Sequence, residues 1–210
     1  MVSAKLKAYV EQGVLPIYNK NEEGHGIDHV NYVLRRAFKF NVENDLWLSD
    51  DMLYAAVVFH DVGHHIDPKN HEVVSAEMFI ADKFMNEFFS PADLLVVRQA
   101  IEDHRSSADS DPRNIYGEVL SSADRNTDLA TPCRRTYAYT LKNYPNYTLD
   151  QNTNRAYDHI SKKFGPGGYA NEKIYFKDDE YTAYLQKVAE LIADKPTFVA
   201  YFKQVNGISD

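Results

Sequence analysis

Apolar residues recur three and four positions apart along most of this 210-residue chain, and this spacing constrains its fold more than any other sequence feature. Between residues 26 and 40, for example, Val30, Val33 and Ala37 fall on one face of a helix. A convincing alternation of apolar and polar residues, which would indicate half-buried strands, is absent. We therefore predict an all-α fold.

Start and stop signals divide this pattern into separate helices. Ser49 and Ser90 are predicted N-caps, Pro91 suits a first helical position, and Gly63 is a predicted stop. Residues 143–175 are polar and rich in Asn, Gly and Tyr, which predicts a long loop or lid with a short helix inside it. The predicted helices cover residues 4–10, 26–40, 49–63, 71–89, 90–101, 113–129, 178–193 and 196–205.

The charge and the cysteine count exclude several classes of protein. A formal net charge of −8 argues against a general nucleic-acid binder, which needs a basic face to neutralise phosphates. A single cysteine, Cys133, allows neither an internal disulfide nor a cysteine-based zinc site. No stretch approaches the roughly 20 apolar residues that span a membrane, and no signal peptide is recognisable. We expect a cytoplasmic protein that forms one domain over residues 1–210 and does not bind membranes.

The histidines are unevenly distributed along the chain. Seven of the eight lie between His25 and His104, and only His159 lies outside this range. Such a cluster in a chain without useful cysteines indicates a metal site built from imidazoles and carboxylates.

Two histidine segments fall where predicted helices begin or end. His25 and His29 are four residues apart, so both side chains share one helix face, although a pair of exposed polar residues is the alternative. His60 and Asp61 follow an apolar helix, whose C-terminal end favours a histidine and disfavours an aspartate. A cation that binds both side chains would remove this conflict, which makes the pair more informative than His60 alone.

Two further candidates belong to later helices. His104 follows two carboxylates at the end of the helix that begins at Ser90, and a solvated helix end is the alternative explanation. Asp124 lies among apolar residues, where a carboxylate costs several kcal/mol unless it is paired or metal-bound. The alternative for Asp124 is a salt bridge to an arginine.

In these segments the chain resembles the HD-domain superfamily of metal-dependent phosphohydrolases, in the form of its small stand-alone bacterial members. The order of ligand candidates matches the family's H…HD…D pattern. The matching segments are HVNYVL (29–34), AAVVFHDVGH (55–64), NHEVVSAEMF (70–79) and SSADRNTDLA (121–130). The likeness extends well over residues 24–130 and more weakly over DHISKKF (158–164) and the helices after it. It implies a helical bundle over 24–130 with a C-terminal helical extension over 131–210.

The resemblance also implies a set of ligands for divalent metal. A first ion would be held by the four residues of the pattern, His29, His60, Asp61 and Asp124. Some branches of the family bind a second ion, and the corresponding positions here are His25, His71 and His104. The first of these positions is often Glu in such branches, so a role in binding substrate phosphate is the alternative for His25. Imidazole and carboxylate ligands suit Mn, Fe, Co, Ni or Zn and suit Mg less well, so we expect one or two divalent ions per chain.

Residues near the pattern are candidates for catalysis and substrate binding. The predicted catalytic residues are Asp61, His64 and Arg125. His64 or its neighbour His65 would donate a proton to the leaving group, and a supporting or exposed polar residue after Gly63 is the alternative for both. Arg125 resembles an arginine of the family, and a structural salt bridge is its alternative. The candidate cations for a substrate phosphate are Lys20, Arg105, Lys162 and Lys163. The last two precede the run 165–168, which forms either a mobile flap or a solvated turn.

Taken together, these features predict a phosphohydrolase that uses a metal-activated water to cleave a phosphoester or phosphoanhydride of a small molecule, with a nucleotide as the expected substrate. The chain lacks a Gly-Tyr-Pro motif, which argues against cyclic dinucleotides. Two alternatives stay open, a non-catalytic sensor of metal or nucleotide and a di-iron oxygenase. The apolar helix around residues 188–192 is compatible with a homo-oligomer.

Overall fold

The structure is a computed structural model that describes residues 1–22 and 24–208. Helices account for all the regular secondary structure in these residues, which confirms the all-α prediction. The chain divides into two compact units, Met1–Arg125 and Asn126–Asp210. The boundary lies five residues before the predicted end of the family-like core at residue 130, and the single domain over residues 1–210 stays a prediction.

The first unit begins with a short helix that continues into a π-helical turn, Val10–Val14, and a 3₁₀ helix, Leu15–Lys20. Its α-helices are α1 (Ala4–Tyr9), α2 (Ile27–Glu43), α3 (Asp50–Phe59), α4 (His71–Ala81), α5 (Lys83–Phe88), α6 (Pro91–Glu102) and α7 (Ile115–Ala123). The second unit contains α8 (Ala130–Asn143), α9 (Leu149–Phe164), a 3₁₀ turn (Tyr169–Asn171), α10 (Asp179–Ala193) and α11 (Lys195–Val205). In the described ranges no helix has both the length and the apolar character needed to cross a membrane.

Helix α3 forms the centre of the first unit. It is buried all round from Met52 to Phe59, because its residues are almost uniformly apolar, and it packs against α2, α4, α6 and α7. The predicted cap is present, since the Ser49 hydroxyl accepts a hydrogen bond from the Met52 N–H at 3.4 Å. The C-terminal end of α3 therefore delivers the next residue, His60, into the interior.

Two predicted helices of the first unit are shorter in the structure than their apolar patterns suggest. The helix predicted over residues 71–89 is interrupted at Asp82, which adopts an extended backbone and accepts a hydrogen bond from the Met85 N–H at 3.1 Å. A short polar side chain that captures a backbone N–H ends one helix and starts the next. The helix predicted to reach residue 129 ends at Ala123, and Asp124 is its C-cap.

The second unit corrects the prediction for residues 143–175, which was a long loop or lid with a short helix inside it. About half of that segment is the 16-residue helix α9. A capping box between Thr148 and Gln151 starts the helix, and Ala156, Ile160 and Phe164, spaced four apart, form its buried face. The polar residues of the exposed face obscured this spacing in the sequence. The core that α9 joins is rich in aromatic residues and includes Cys133, Tyr181, Tyr184, Phe198 and Phe202.

Candidate metal centre

Six predicted ligands meet inside the first unit, each at or just beyond the end of a helix. This placement follows from the local sequence, because helix ends carry the polar residues that the apolar helix interiors exclude. The six are His29 in the first turn of α2, His60 and Asp61 after α3, His71 at the start of α4, His104 after α6 and Asp124 after α7.

The first donor group consists of His29, His60, Asp61 and Asp124. The Nε2 atom of His29 lies 3.2 Å from Nε2 of His60, 2.9 Å from Oδ1 of Asp124 and 3.6 Å from Oδ2 of Asp61. The Nε2 atom of His60 lies 3.4 Å from the same Asp61 oxygen and 3.8 Å from Asp124 Oδ1. The Nε2 atoms of His29 and His60 thus each lie within 4 Å of one oxygen of Asp61 and one oxygen of Asp124.

The second donor group consists of Asp61, His71 and His104. The Nε2 atoms of His71 and His104 lie 3.2 Å apart. They lie 3.2 Å and 3.7 Å, respectively, from Oδ1 of Asp61. The Asp61 carboxylate therefore stands between the two donor groups and presents one oxygen to each.

Backbone carbonyls set the orientation of three of these imidazoles. The Nδ1 atom of His60 donates to the Val57 carbonyl at 2.7 Å, and that of His104 donates to the Ile101 carbonyl at 2.7 Å. The Nδ1 atom of His71 lies 3.1 Å from the Pro68 carbonyl. Because a carbonyl only accepts hydrogen bonds, each Nδ1 carries the proton and each neutral ring keeps a lone pair on Nε2. Histidines that bind metals are held in this way.

Burial and mutual charge set the ionisation of the donors. Burial lowers the pKa of His60, His71 and His104, although the neighbouring carboxylates raise it in part. Burial alone would raise the pKa of Asp61 and Asp124, but His60 holds that of Asp61, and His29 that of Asp124, below the usual range. Neutral imidazoles and charged carboxylates are the forms that bind metal ions.

Two features of the interior indicate that these residues fit a cation. The Oδ1 atom of Asp61 is buried and accepts no hydrogen bond, although two imidazoles lie close to it. The lone pairs of His71 and His104 face each other at 3.2 Å, which is repulsive between neutral rings. A divalent ion bound by these atoms would remove both penalties. The buried histidines and aspartates of the first unit could thus hold a metal ion.

His25 and His64 also lie at the centre. The Nδ1 atom of His25 is 2.7 Å from Oδ2 of Asp61, the oxygen that faces the first donor group. Its ring stacks on that of His64, with centroids 3.9 Å apart. Burial, assisted by the charge of His25, lowers the pKa of His64 to about 4. The predicted catalytic role of His64 and the choice between metal and phosphate for His25 stay predictions.

The predicted arginines occupy different environments. Arg125 is buried directly after Asp124, and its backbone carbonyl accepts a hydrogen bond from the Tyr32 hydroxyl at 2.8 Å. Arg105 follows His104, and its guanidinium contacts both carboxylate oxygens of Glu72 at 3.1 and 3.2 Å. The charge of Arg105 is therefore already paired, which weakens its candidacy as a phosphate ligand.

The predicted lysines lie on helix surfaces. Lys20 is exposed at the end of the 3₁₀ helix Leu15–Lys20. Lys162 and Lys163 belong to the last turn of α9 in the second unit and not to a flap. The role of these three lysines in binding phosphate stays a prediction.

Two residues that hold the His60–Asp61 turn were missed in the sequence. The Tyr18 hydroxyl donates to the Val58 carbonyl at 3.0 Å and accepts from the Asp61 N–H at 3.3 Å. The Asn21 amide donates to the Asp61 carbonyl at 2.9 Å and accepts from the His65 N–H at 3.0 Å. Both residues precede the segments that resemble the family, and neither carried a local signal.

Arg36 was also missed, although its position carried a signal. It is 2% exposed and donates to the carbonyls of Ser122 and Ala123 at 3.2 and 3.1 Å, immediately before Asp124. Its place three residues after Val33 puts a charge on the buried face of α2. A charged residue at a buried helical position indicates a specific partner.

Comparison with known proteins adds one distant relative. An uncharacterized protein of Clostridium beijerinckii is 23% identical over 114 residues, which are 52% of this chain and 69% of that protein. No protein-family model matches the chain. No solved structure matches it either. These results name neither a function nor a family, so the likeness to the HD-domain superfamily stays a resemblance.

Proposed function

We propose that this protein is a metal-dependent phosphohydrolase that cleaves a phosphoester or phosphoanhydride bond of a small molecule, with a nucleotide as the expected substrate. The observation that carries this proposal is the position of Asp61, whose two oxygens face two separate pairs of imidazoles. A carboxylate shared in this way suits a centre for two cations, and paired cations are a common arrangement for hydrolysing phosphates.

The chain's own residues have defined tasks in this proposal. When bound, divalent ions lower the pKa of a coordinated water and neutralise charge on phosphoryl oxygens. The backbone carbonyls of Val57 and Ile101 keep His60 and His104 in the tautomer that a metal requires. During hydrolysis the water oxygen bonds to phosphorus, the bond from phosphorus to the leaving oxygen breaks, and that oxygen takes up a proton. His64, stacked on His25, is the candidate to deliver this proton, and this role requires the bound phosphate to raise the pKa of His64 from about 4 so that the ring is protonated.

Metal content and turnover measured on the same preparation test the proposal. We expect purified full-length protein to bind one or two divalent ions and to release phosphate or pyrophosphate from members of a nucleotide panel in the presence of Mn, Co, Ni or Mg. His60→Ala and Asp61→Asn should lose both the metal and the activity. His159→Ala is the matched control for metal content, because His159 lies in the second unit and outside both donor groups.

Other outcomes would replace the proposal with a different function. Thermal stabilisation by nucleotides without any turnover would indicate a sensor. Oxygen consumption by an iron-loaded sample would indicate an oxygenase. Activity that survives both His60→Ala and Asp61→Asn would contradict catalysis at this centre.

A further inference from the structure

The second unit carries an open groove along the exposed face of α9 that shares no residue with the metal centre. Its volume is about 510 Å³, within the range of ligand-binding pockets. The groove is lined by Tyr147, by the basic side chains Arg155, His159 and Lys162, by the carboxylate of Asp158, and by the amides Gln151 and Asn154. It thus combines an aromatic ring with three basic side chains and one carboxylate.

Arg155, His159 and Lys162 form no ion pair within 4 Å with a carboxylate of the described residues, although Asp158 also lines the groove. The three basic residues are four and three positions apart, so they follow one face of the helix over about 10 Å. Arg155 donates to the neutral Thr140 hydroxyl at 3.0 Å. Partial burial and the charges of Lys163, Arg155 and Lys162 lower the pKa of His159. The local field is therefore positive, although the whole chain carries a net charge of −8.

Three tyrosines form an exposed aromatic surface beside this row. The rings of Tyr144 and Tyr147 stack with centroids 4.8 Å apart, and the guanidinium of Arg155 lies 5.1 Å from the Tyr144 ring and 4.9 Å from the Tyr139 ring. The three tyrosines are 37–52% exposed. Exposed aromatic rings next to cations are the usual surfaces on which proteins stack bases and hold phosphates.

We propose that this groove binds a nucleoside diphosphate or triphosphate, with the base on the Tyr147 ring and the phosphates along Arg155, His159 and Lys162. Arg155 and Lys162 place two positive charges about 10 Å apart, with the neutral His159 ring between them as a hydrogen-bond donor, which suits a chain of phosphates better than a single one. A nucleic-acid polymer would require a longer basic surface, which the acidic chain does not favour. This inference is independent of the proposed phosphohydrolase activity.

Titration calorimetry on the full chain, at low salt and with EDTA, tests the proposal without a contribution from divalent metal. We expect ADP and ATP to bind saturably. Adenosine lacks the phosphates and tripolyphosphate lacks the base, so each should bind at least about tenfold more weakly than ATP.

Variants at exposed positions locate the binding. Lys162→Ala should weaken ATP binding about tenfold, because it removes a charged partner. Tyr147→Ala should weaken it at least about fivefold, because it removes the stacking surface. Lys187→Ala, an exposed lysine on α10 outside the groove, and His60→Ala, in the metal centre, should leave the dissociation constant unchanged. Circular dichroism verifies that each variant is folded.

Several results would overturn the proposal. Absence of saturable binding of ADP and ATP at millimolar concentration would do so. Equal binding of tripolyphosphate and ATP, with no effect of Tyr147→Ala, would show general anion attraction only. Loss of binding in His60→Ala would assign the nucleotide to the metal centre. Tighter binding of a single-stranded oligonucleotide than of ATP would indicate a nucleic-acid surface instead.

Discussion

The interiors of the two units differ in the kind of side chain that they bury. Residues 1–125 enclose ionisable groups, including Arg36, Asp61 and four of the histidines. The core of residues 126–208 consists of aromatic and aliphatic side chains around Phe198 and Phe202, and most of the polar side chains buried in this range are threonines and asparagines. Both units bury polar atoms without a hydrogen-bond partner, but those of the second unit belong to the neutral side chains Asn152, Ser161 and Tyr184, whereas the first unit buries an oxygen of the Asp61 carboxylate in this way.

This difference indicates which unit depends on a ligand. A packed aromatic core gains free energy from burial alone, whereas buried charges and facing lone pairs cost free energy unless something compensates them. In the first unit the uncompensated atoms include Asp61 Oδ1 and the facing Nε2 atoms of His71 and His104. A bound cation would turn this cost into a source of stability and activity. The predictions below are ordered from the largest expected effect to the smallest.

Asp61→Asn should have the largest effect, because Asp61 is the only residue shared by both donor groups. We expect metal content to fall close to zero, and the proposed phosphohydrolase activity to fall on the order of 10³-fold or more. Elemental analysis and a phosphate-release assay measure the two quantities. Asp109→Asn, an exposed aspartate of the same unit, is the matched control. Full metal content in Asp61→Asn would show that metal binding in the first unit does not depend on Asp61.

Gly63→Ala should destabilise the turn that carries His60 and Asp61. A Cβ at Gly63 would lie 2.7 Å from Cγ1 of Val74 and 2.9 Å from the backbone nitrogen of Ser75. Such overpacking costs about 1–3 kcal/mol, which urea unfolding measures. Gly26→Ala is the control, because an added Cβ there meets no atom within 4 Å. Equal stabilities of the two variants would refute the close approach of α4 to this turn.

Arg36→Met should weaken metal binding without removing a ligand. Arg36 donates to the two carbonyls that precede Asp124, and loss of such support for a ligand typically lowers metal affinity about 10–100-fold. Competition with a fluorescent chelator measures this affinity. Arg35→Met is a matched control, since Arg35 is exposed on the same helix. An unchanged affinity in Arg36→Met would remove Arg36 from the support of the centre.

Cys133 reports on the core of the second unit, whose packing we expect to be independent of metal. The thiol is fully buried in the second unit, and burial together with the charge of Asp128 raises its pKa to about 12. Only about one thiol in 10⁴ is then ionised at pH 8, so a thiol reagent should label native protein very slowly. Chelation should leave the labelling rate unchanged, whereas urea should raise it. Rapid labelling on chelation alone would show that this core also depends on metal.

The sequence predicted the first unit well because its key residues lie at helix ends that local signals mark. Ser49 and Ser90 cap the helices as expected, and the ligand candidates from His29 to Asp124 meet in the interior. Tyr18 and Asn21 were not predictable, since their partners at the Asp61 turn lie about 40 residues away in the chain. No local pattern specifies such long-range contacts.

The second unit was predicted less well for a different reason. Helix α9 exposes a wide polar face, so its buried residues Ala156, Ile160 and Phe164 form too narrow a stripe to stand out. Its strongest local signal was the capping box between Thr148 and Gln151, which marks a helix start independently of hydrophobicity. The capping box therefore marks the start of a helix inside a segment whose polar composition is typical of a loop.

The most direct test of the central claim is a crystal structure of the protein with Mn or Co and anomalous scattering from the metal. The account predicts one anomalous peak bound by Nε2 of His29 and His60, and a second bound by Nε2 of His71 and His104, with Asp61 between them. A folded protein that shows no peak at Asp61 and keeps both pairs of Nε2 atoms about 3 Å apart, at hydrogen-bonding distance, would contradict it.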